Sequence, residues 1–156
     1  MRKIITTFFL VLLVFISHIS WSQSSKIDSL QRVLKNKQGS DRMECLRQLA
    51  KVYMSSSVEE AIKYASELLL IAEKEGDLKY IDLASSFLGE AYFYMEEIEK
   101  SIEFFEKFLE TNIEQDDIDG IATAYNNLGI VYRYIEKYET AIQYYLESLA
   151  IKERLK

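Results

Sequence analysis

One segment of this chain returns three times at a spacing of 40 residues: AIKYASELLLIAEKEGD (61–77), SIEFFEKFLETNIEQDD (101–117) and AIQYYLESLAIKERLK (141–156). A second match precedes each of them: LAKVY (49–53), LGEAY (88–92) and LGIVY (128–132). The step from Ala50 to Gly89 is 39 and that from Gly89 to Gly129 is 40, which places a one-residue loss in the first unit's turn at Ser55–Ser57. A period near 40 is the mark of a helical repeat, whose units cannot bury an apolar face alone and must stack. Each unit reads as two amphipathic helices. In the third, Ala124, Leu128, Val131 and Tyr132 share one stripe, and Tyr138, Ala141, Ile142, Tyr145 and Leu149 share another. Asp77 and Asp117 stand where helix N-caps belong. Ala61, Gly89, Ser101, Gly129 and Ala141 are small enough for paired helices to approach closely.

Composition removes the competing folds. The 156 residues hold five glycines and no proline, too few turn formers for an all-β chain. A single cysteine, Cys45, excludes a disulfide scaffold, and beside Leu46 it reads as a small core residue. Glu, Lys, Leu, Ala and Gln, all good helix formers, fill the positions expected to be exposed.

Residues 1–22 have a different character. Arg2 and Lys3 precede the unbroken apolar run Phe8–Ile16, and Ser20 and Ser22 flank Trp21. That order is a secretory signal peptide with cleavage after Ser22. Counted even from Ile4, the run is 13 residues, short of the roughly 20 that a spanning helix needs, so an uncleaved inner-membrane anchor is the alternative reading. Cleavage leaves 17 basic against 25 acidic residues, a net charge of −8 against −6 for the whole chain. Such a balance offers no basic field for nucleic acid. The only histidine, His18, leaves with the signal, taking the usual general base and commonest metal ligand with it. The acidic groups Glu96, Glu97, Glu99 and Asp116, Asp117, Asp119 cluster at turns, where they cap and solvate helices, and QDDIDG lacks the spacing of a calcium loop. The expectation is no enzyme, no cofactor and no metal.

The repeat resembles the tetratricopeptide repeat family. The third unit carries the family's pattern at Tyr125, Leu128, Gly129, Tyr132, Ala141, Tyr145 and Ser148. The second carries it at Leu88, Gly89, Tyr92, Ser101 and Phe105, with Ser85 at the first aromatic position. The first unit is weaker, with Leu46, Leu49, Ala50, Tyr53, Ala61 and Ala65. The family's usual proline is replaced by Asn112 and Glu153, and the period looks like that of a long-period subclass. The resemblance implies an all-α, right-handed α-solenoid of stacked helix-turn-helix units.

The domain reading is a signal peptide (1–22), an N-terminal capping helix and linker (23–40) and three units over 41–156 (about 41–76, 77–116 and 117–156). The capping helix spans residues 26–37, with Ile27, Leu30, Val33 and Leu34 at helical spacing before a break at Gly39-Ser40. By the resemblance, the inner face of the first helices binds an extended peptide or partner helix. That face would present Arg47 and Lys51, then Glu90, Phe93 and Tyr94, then Asn126, Ile130, Arg133 and Tyr134. Arginine with aromatics is the composition that binding surfaces favour. The family's carboxylate clamp is not reproduced as a set, because Ser86 and Phe87 stand in the second unit's place. The implied role is an exported, periplasmic or secreted, protein-interaction module with a protein or peptide partner in the cell envelope. The alternative is the N-terminal periplasmic sensor segment of a membrane-bound histidine kinase or helix-turn-helix regulator, with a spanning helix downstream. The sequence reaches Lys156 within a second helix, so the expectation includes self-association through an uncapped C-terminal helix.

Overall fold

The computed structural model describes residues 25–154, and the signal segment 1–22, with His18 and Trp21, lies outside the described residues. Among the described residues there are seven helices and no strand. They are α1 (25–34), α2 (Gly39–Tyr53), α3 (Val58–Glu75), α4 (Leu78–Tyr94), α5 (Ile98–Glu114), α6 (Ile118–Tyr134) and α7 (Tyr138–Arg154). None of these is long and apolar enough to cross a membrane. Each helix from α2 onward packs on the next, and α2 also touches α4, which is the connectivity of an α-solenoid.

Short turns set the period. Ser57, Asp77 and Asp117 each accept a hydrogen bond from the backbone N–H three residues on, at 3.4, 3.3 and 3.0 Å. At the other end of the turn a Schellman closure recurs. Asp77, Glu97, Asp117 and Lys137 donate their N–H to the carbonyls of Ala72, Tyr92, Asn112 and Tyr132 at 2.9–3.0 Å. The residue before each donor is left-handed: Gly76 (φ 69°), Glu96 (φ 60°), Asp116 (φ 53°) and Glu136 (φ 60°). Only the first of these is glycine, and a side chain in this region costs about 1 kcal/mol or more. Asp116→Gly is therefore expected to stabilise the protein by about 1 kcal/mol, raising its thermal midpoint by about 3 °C. A midpoint that stays level or falls would show that the left-handed turn is not held in solution.

Two details of the sequence reading are corrected. The residue missing from the first unit is not lost from its turn. α2 ends three residues after Ala50 whereas α4 ends five after Gly89, and the turn Met54–Ser57 is one residue longer than its equivalents. No residue of that turn has positive φ, so the chain leaves α2 early, without the Schellman closure. The N-terminal break also moves. Gly39 and Ser40 lie in the first turn of α2, and α1 ends at residue 34. α1 covers the first core with Ile27, Leu30 and Leu34, while Val33 is exposed.

Packing within the units repeats as faithfully as the turns. Tyr53 stacks on Tyr64, Tyr92 on Phe104 and Tyr132 on Tyr144, with ring centroids 5.4–5.5 Å apart. Gln31 of α1 donates to the hydroxyls of both Tyr53 and Tyr64, tying the N-terminal helix to the first of these pairs. The neighbouring aromatic presses on a glycine. A Cβ on Gly89 would lie 2.7 Å from the Phe105 ring, and one on Gly129 would lie 2.7 Å from the Tyr145 ring. The first unit holds two alanines, Ala50 and Ala65, at these positions, both fully buried. Volume is thus exchanged across the helix pair, large against none or small against small, at constant packing density. The buried hydroxyl of Ser101 donates to the Gly89 carbonyl at 2.8 Å, and that of Ser148 to the Ala122 carbonyl at 2.7 Å. The buried residues form two cores, one from α2, α3 and α4 and one centred on α5 and α6, and Cys45 is buried in α2.

The stripe read on α7 is only partly internal. Ala141 is buried and Tyr145 half-buried against α6, but Tyr138, Ile142 and Leu149 are 55, 56 and 51% exposed. Helical spacing puts these five residues on one broad face, but α6 is narrow enough to cover only its Ala141–Ser148 side.

Candidate binding cleft

The first helices of the second and third units stand side by side, and an open cleft of about 260 Å³ lies between them. Ser86, Glu90, Phe93 and Tyr94 of α4 line one wall and Asn127, Ile130 and Val131 of α6 the other, with Phe105 of α5 at the floor. A space this size accepts one or two side chains and is smaller than a drug-sized or cofactor pocket.

Exposed aromatics form the rim. Phe93 meets the edge of Tyr134 at 5.1 Å between centroids and lies 6.3 Å from Tyr94. Tyr94 and Tyr134 are 58 and 51% exposed, which is unusual for rings of this size without a partner. Each is oriented by a carboxylate: Tyr94 Oη donates to Glu90 and Tyr134 Oη to Glu96, both at 3.1 Å. Those bonds to an anion raise both phenol pKa values, so the hydroxyls stay protonated near neutrality. Glu90 is the charged residue of the lining. The cleft is therefore an apolar slot with aromatic edges and a negative mouth.

Of the residues expected on this face, Glu90, Phe93, Tyr94 and Ile130 come together in the cleft, and Tyr134 joins them through Phe93. Asn126 and Arg133 do not line it. Forty residues earlier, Ser86 and Phe93 line the side of α4 that faces α6. Asn126 and Arg133 occupy the same positions on α6 but fall outside the lining, whereas Ile130, the equivalent of Glu90, lies within it. Asn127, the residue after Asn126, is the amide that lines the cleft.

In the first unit the cation is already engaged. Arg47 donates Nε and a terminal nitrogen to the Glu44 carboxylate at 2.8 and 2.6 Å, and Gln48 and the Tyr80 hydroxyl of α4 add bonds at 2.8 and 3.3 Å. The Arg47 pairing, aided by the Gln48 and Tyr80 bonds, holds Glu44 at about 2, well below the usual carboxylate range. Its share of stability is present above about pH 4.5 and lost as pH falls towards 2. Glu44 thus ties α2 to α4 through Tyr80, and Arg47, paired with Glu44, offers no free charge. Lys51 is exposed near the end of α2, outside the cleft. Phe87 packs into the first core.

A second polar junction, missed in the sequence, joins α4 to α5. Asn112 of α5 is buried and donates its amide to Asp82 of α4 and to the Phe108 carbonyl. A side chain on Gly120 of α6 would fall on the same amide. Burial raises the Asp82 carboxyl to about 6, Asn112 pulls it back, and the nearby Asp117 charge adds to the rise. Among the described residues no group of three His, Cys, Asp or Glu side chains is placed to hold a metal ion.

Stacked helix pairs with an inter-unit cleft define the class, a helical-repeat solenoid. Residues 80–154 match the tetratricopeptide repeat model. The fold is similar to those of several solved structures. BtubC (BKLC) from P. vanneervenii is 24% identical with a TM-score of 0.66, over 86% of this chain and 56% of that one. The TPR domain of Arabidopsis FLU is 18% identical with a TM-score of 0.68, over 72% and 95% of the two chains. The nearly identical TPR-like repeats from Podosopora anserina are 15% identical with a TM-score of 0.72, over 88% and 70%. This chain thus spans little more than half the length of BtubC. No curated protein matches the sequence. The family model matches the second and third units, and these structures share the helical-repeat fold.

Proposed function

We propose that this chain is an exported, non-catalytic interaction module that holds an extended peptide or partner helix across α4 and α6. The cleft is the observation that carries the reading. Two exposed tyrosines and Phe93 surround a slot sized for one or two side chains, with the Glu90 carboxylate at its mouth. The complementary ligand is an apolar side chain adjacent to a lysine or arginine, whose cation meets both Glu90 and the aromatic faces. The order of charge, apolar run and small residues over 1–22 supports export, and hence a partner in the cell envelope.

A peptide library screened against the protein is expected to return sequences that pair a large apolar residue with a basic neighbour. Phe93→Ala with Tyr94→Ala should weaken the selected peptide by about 30-fold or more with helicity unchanged, as for clustered aromatic hot spots. Arg133→Ala should leave the affinity where it was. Peptides without a basic residue, or equal losses from both variants, would overturn the assignment of the site. Export is tested separately by immunoblot of fractionated cells. A band slightly below 18.3 kDa in the soluble envelope fraction is expected. A much larger band in the membrane would replace this reading with that of a sensor's outer segment.

A further inference from the structure

Glu96 stands in the turn after α4, where the sequence gives it no task beyond solvation, yet the fold brings it to the rim of the cleft. Tyr134 of the following unit donates its hydroxyl to Glu96 at 3.1 Å, just as Tyr94 donates to Glu90 at 3.1 Å. Both rings meet Phe93, which lines the cleft, so the two carboxylates flank one aromatic cluster. In each pair one carboxylate oxygen, Oε1, accepts the phenol, and the other has no hydrogen-bond partner among the described residues. Neither acid is in an ion pair among those residues, although six other carboxylates of the chain are.

We infer that this rim holds the guanidinium of an arginine in the bound peptide, with Glu96 as a residue that selects it over lysine. The inference rests on the cleft being the peptide site. The choice of cation follows from the shape of what is offered. A ring cluster with unfilled carboxylate oxygens at its edges suits a planar, weakly hydrated cation. Such a group stacks on a ring while its fork of N–H donors reaches sideways to an acid. A lysine ammonium is compact and strongly hydrated, and it gains less from an aromatic face for the water it gives up. Tyr94 and Tyr134 are both more than half exposed, so their surface is open to such a group without rearrangement. Their hydroxyls are committed to Glu90 and Glu96 and do not compete for the free oxygens. The apolar neighbour of the arginine fills the slot of about 260 Å³ beside Phe93.

The test uses matched peptide pools, random except for a leucine followed by arginine, lysine or citrulline, titrated against the full chain by fluorescence anisotropy. Citrulline keeps the shape of arginine without its charge. The arginine pool is expected to bind about tenfold tighter than either of the others. Glu96→Gln should remove that advantage, weakening the arginine pool by about tenfold and leaving the citrulline pool unchanged, which a merely structural role would not do. Glu136→Gln, at the equivalent place in the next unit's turn, should alter neither. Equal binding of the arginine and lysine pools would overturn the inference and leave the cleft reading in place. So would a Glu96→Gln loss shared by the citrulline pool, or an equal loss from Glu136→Gln. Binding indifferent to Phe93→Ala with Tyr94→Ala, or no binding by any pool, would remove both.

Discussion

Phe105→Ala is expected to cost about 3–5 kcal/mol of folding stability, the largest loss from any single substitution argued from this structure. The ring is buried, lies against the backbone of Gly89 and belongs to the core that joins α5 to α6. Gly89→Ala is expected to cost about 1–3 kcal/mol, because its Cβ would meet three ring atoms within 2.9 Å, partly offset by alanine's better helix propensity. The double variant is the informative one. Its loss should fall short of the sum, since each alanine fills part of the space the other change creates or contests. The first unit is the natural precedent, with Ala50 against Ala65 and neither exposed. Urea unfolding of the four proteins closes the cycle. Strict additivity would show that ring and glycine are not in the contact described.

The second large effect concerns Asn112. Asn112→Ala removes the amide that Asp82 and the Phe108 carbonyl share, and should cost about 2–3 kcal/mol at neutral pH. The cost depends on pH in a direction set by Asp82. Burial raises that carboxyl from 3.8 to about 6, with Asn112 opposing the rise and Asp117 adding to it, so the folded protein holds this proton more tightly than the unfolded chain. Its contribution is therefore full below about pH 4 and is lost as pH rises through 6. Allowing for the solvent contact of a half-buried group, the loss is about 1 kcal/mol. Asp82→Asn keeps an acceptor for Asn112 and cannot ionise. It should be about 1 kcal/mol more stable than the parent at pH 7 and equal to it at pH 4. Asn112→Ala should do the opposite, with its penalty growing between those pH values as the unpaired carboxylate is forced to ionise. Denaturant midpoints across that range decide the matter, and pH-independent differences would place Asp82 in open solvent.

Much of this was legible in the chain because repetition samples the same environment three times. Leu88 and Leu128 are fully buried, as their place in the repeated pattern requires. Gly89 and Gly129 recur because an aromatic must lie on the backbone at that point, and Asp77 and Asp117 recur because a short turn leaves helix donors open. Pairings outside the repeat were not legible. Asp82 and Asn112 are 30 residues apart, and neither belongs to a pattern that periodicity reveals. Arg47 reads equally well as a groove cation or as half of an ion pair until Glu44 and Tyr80 are placed beside it. The cleft needed the tertiary structure as well, since its walls share only the Glu90–Ile130 position of the repeat, and Asn127 and Val131 have no lining counterpart in Phe87 and Ala91.

The sequence by itself determined the helices, their pairing and the positions of the core, because apolar spacing and small residues act locally and recur every 40 residues. Only the tertiary structure decided which side of each first helix meets its neighbour. That choice sends Asn127 into the cleft and leaves Asn126 and Arg133 outside its lining. It also leaves Tyr138, Ile142, Leu146 and Leu149 half-bare on α7. Periodicity marks a face as apolar, but what covers that face depends on the helix packed beside it.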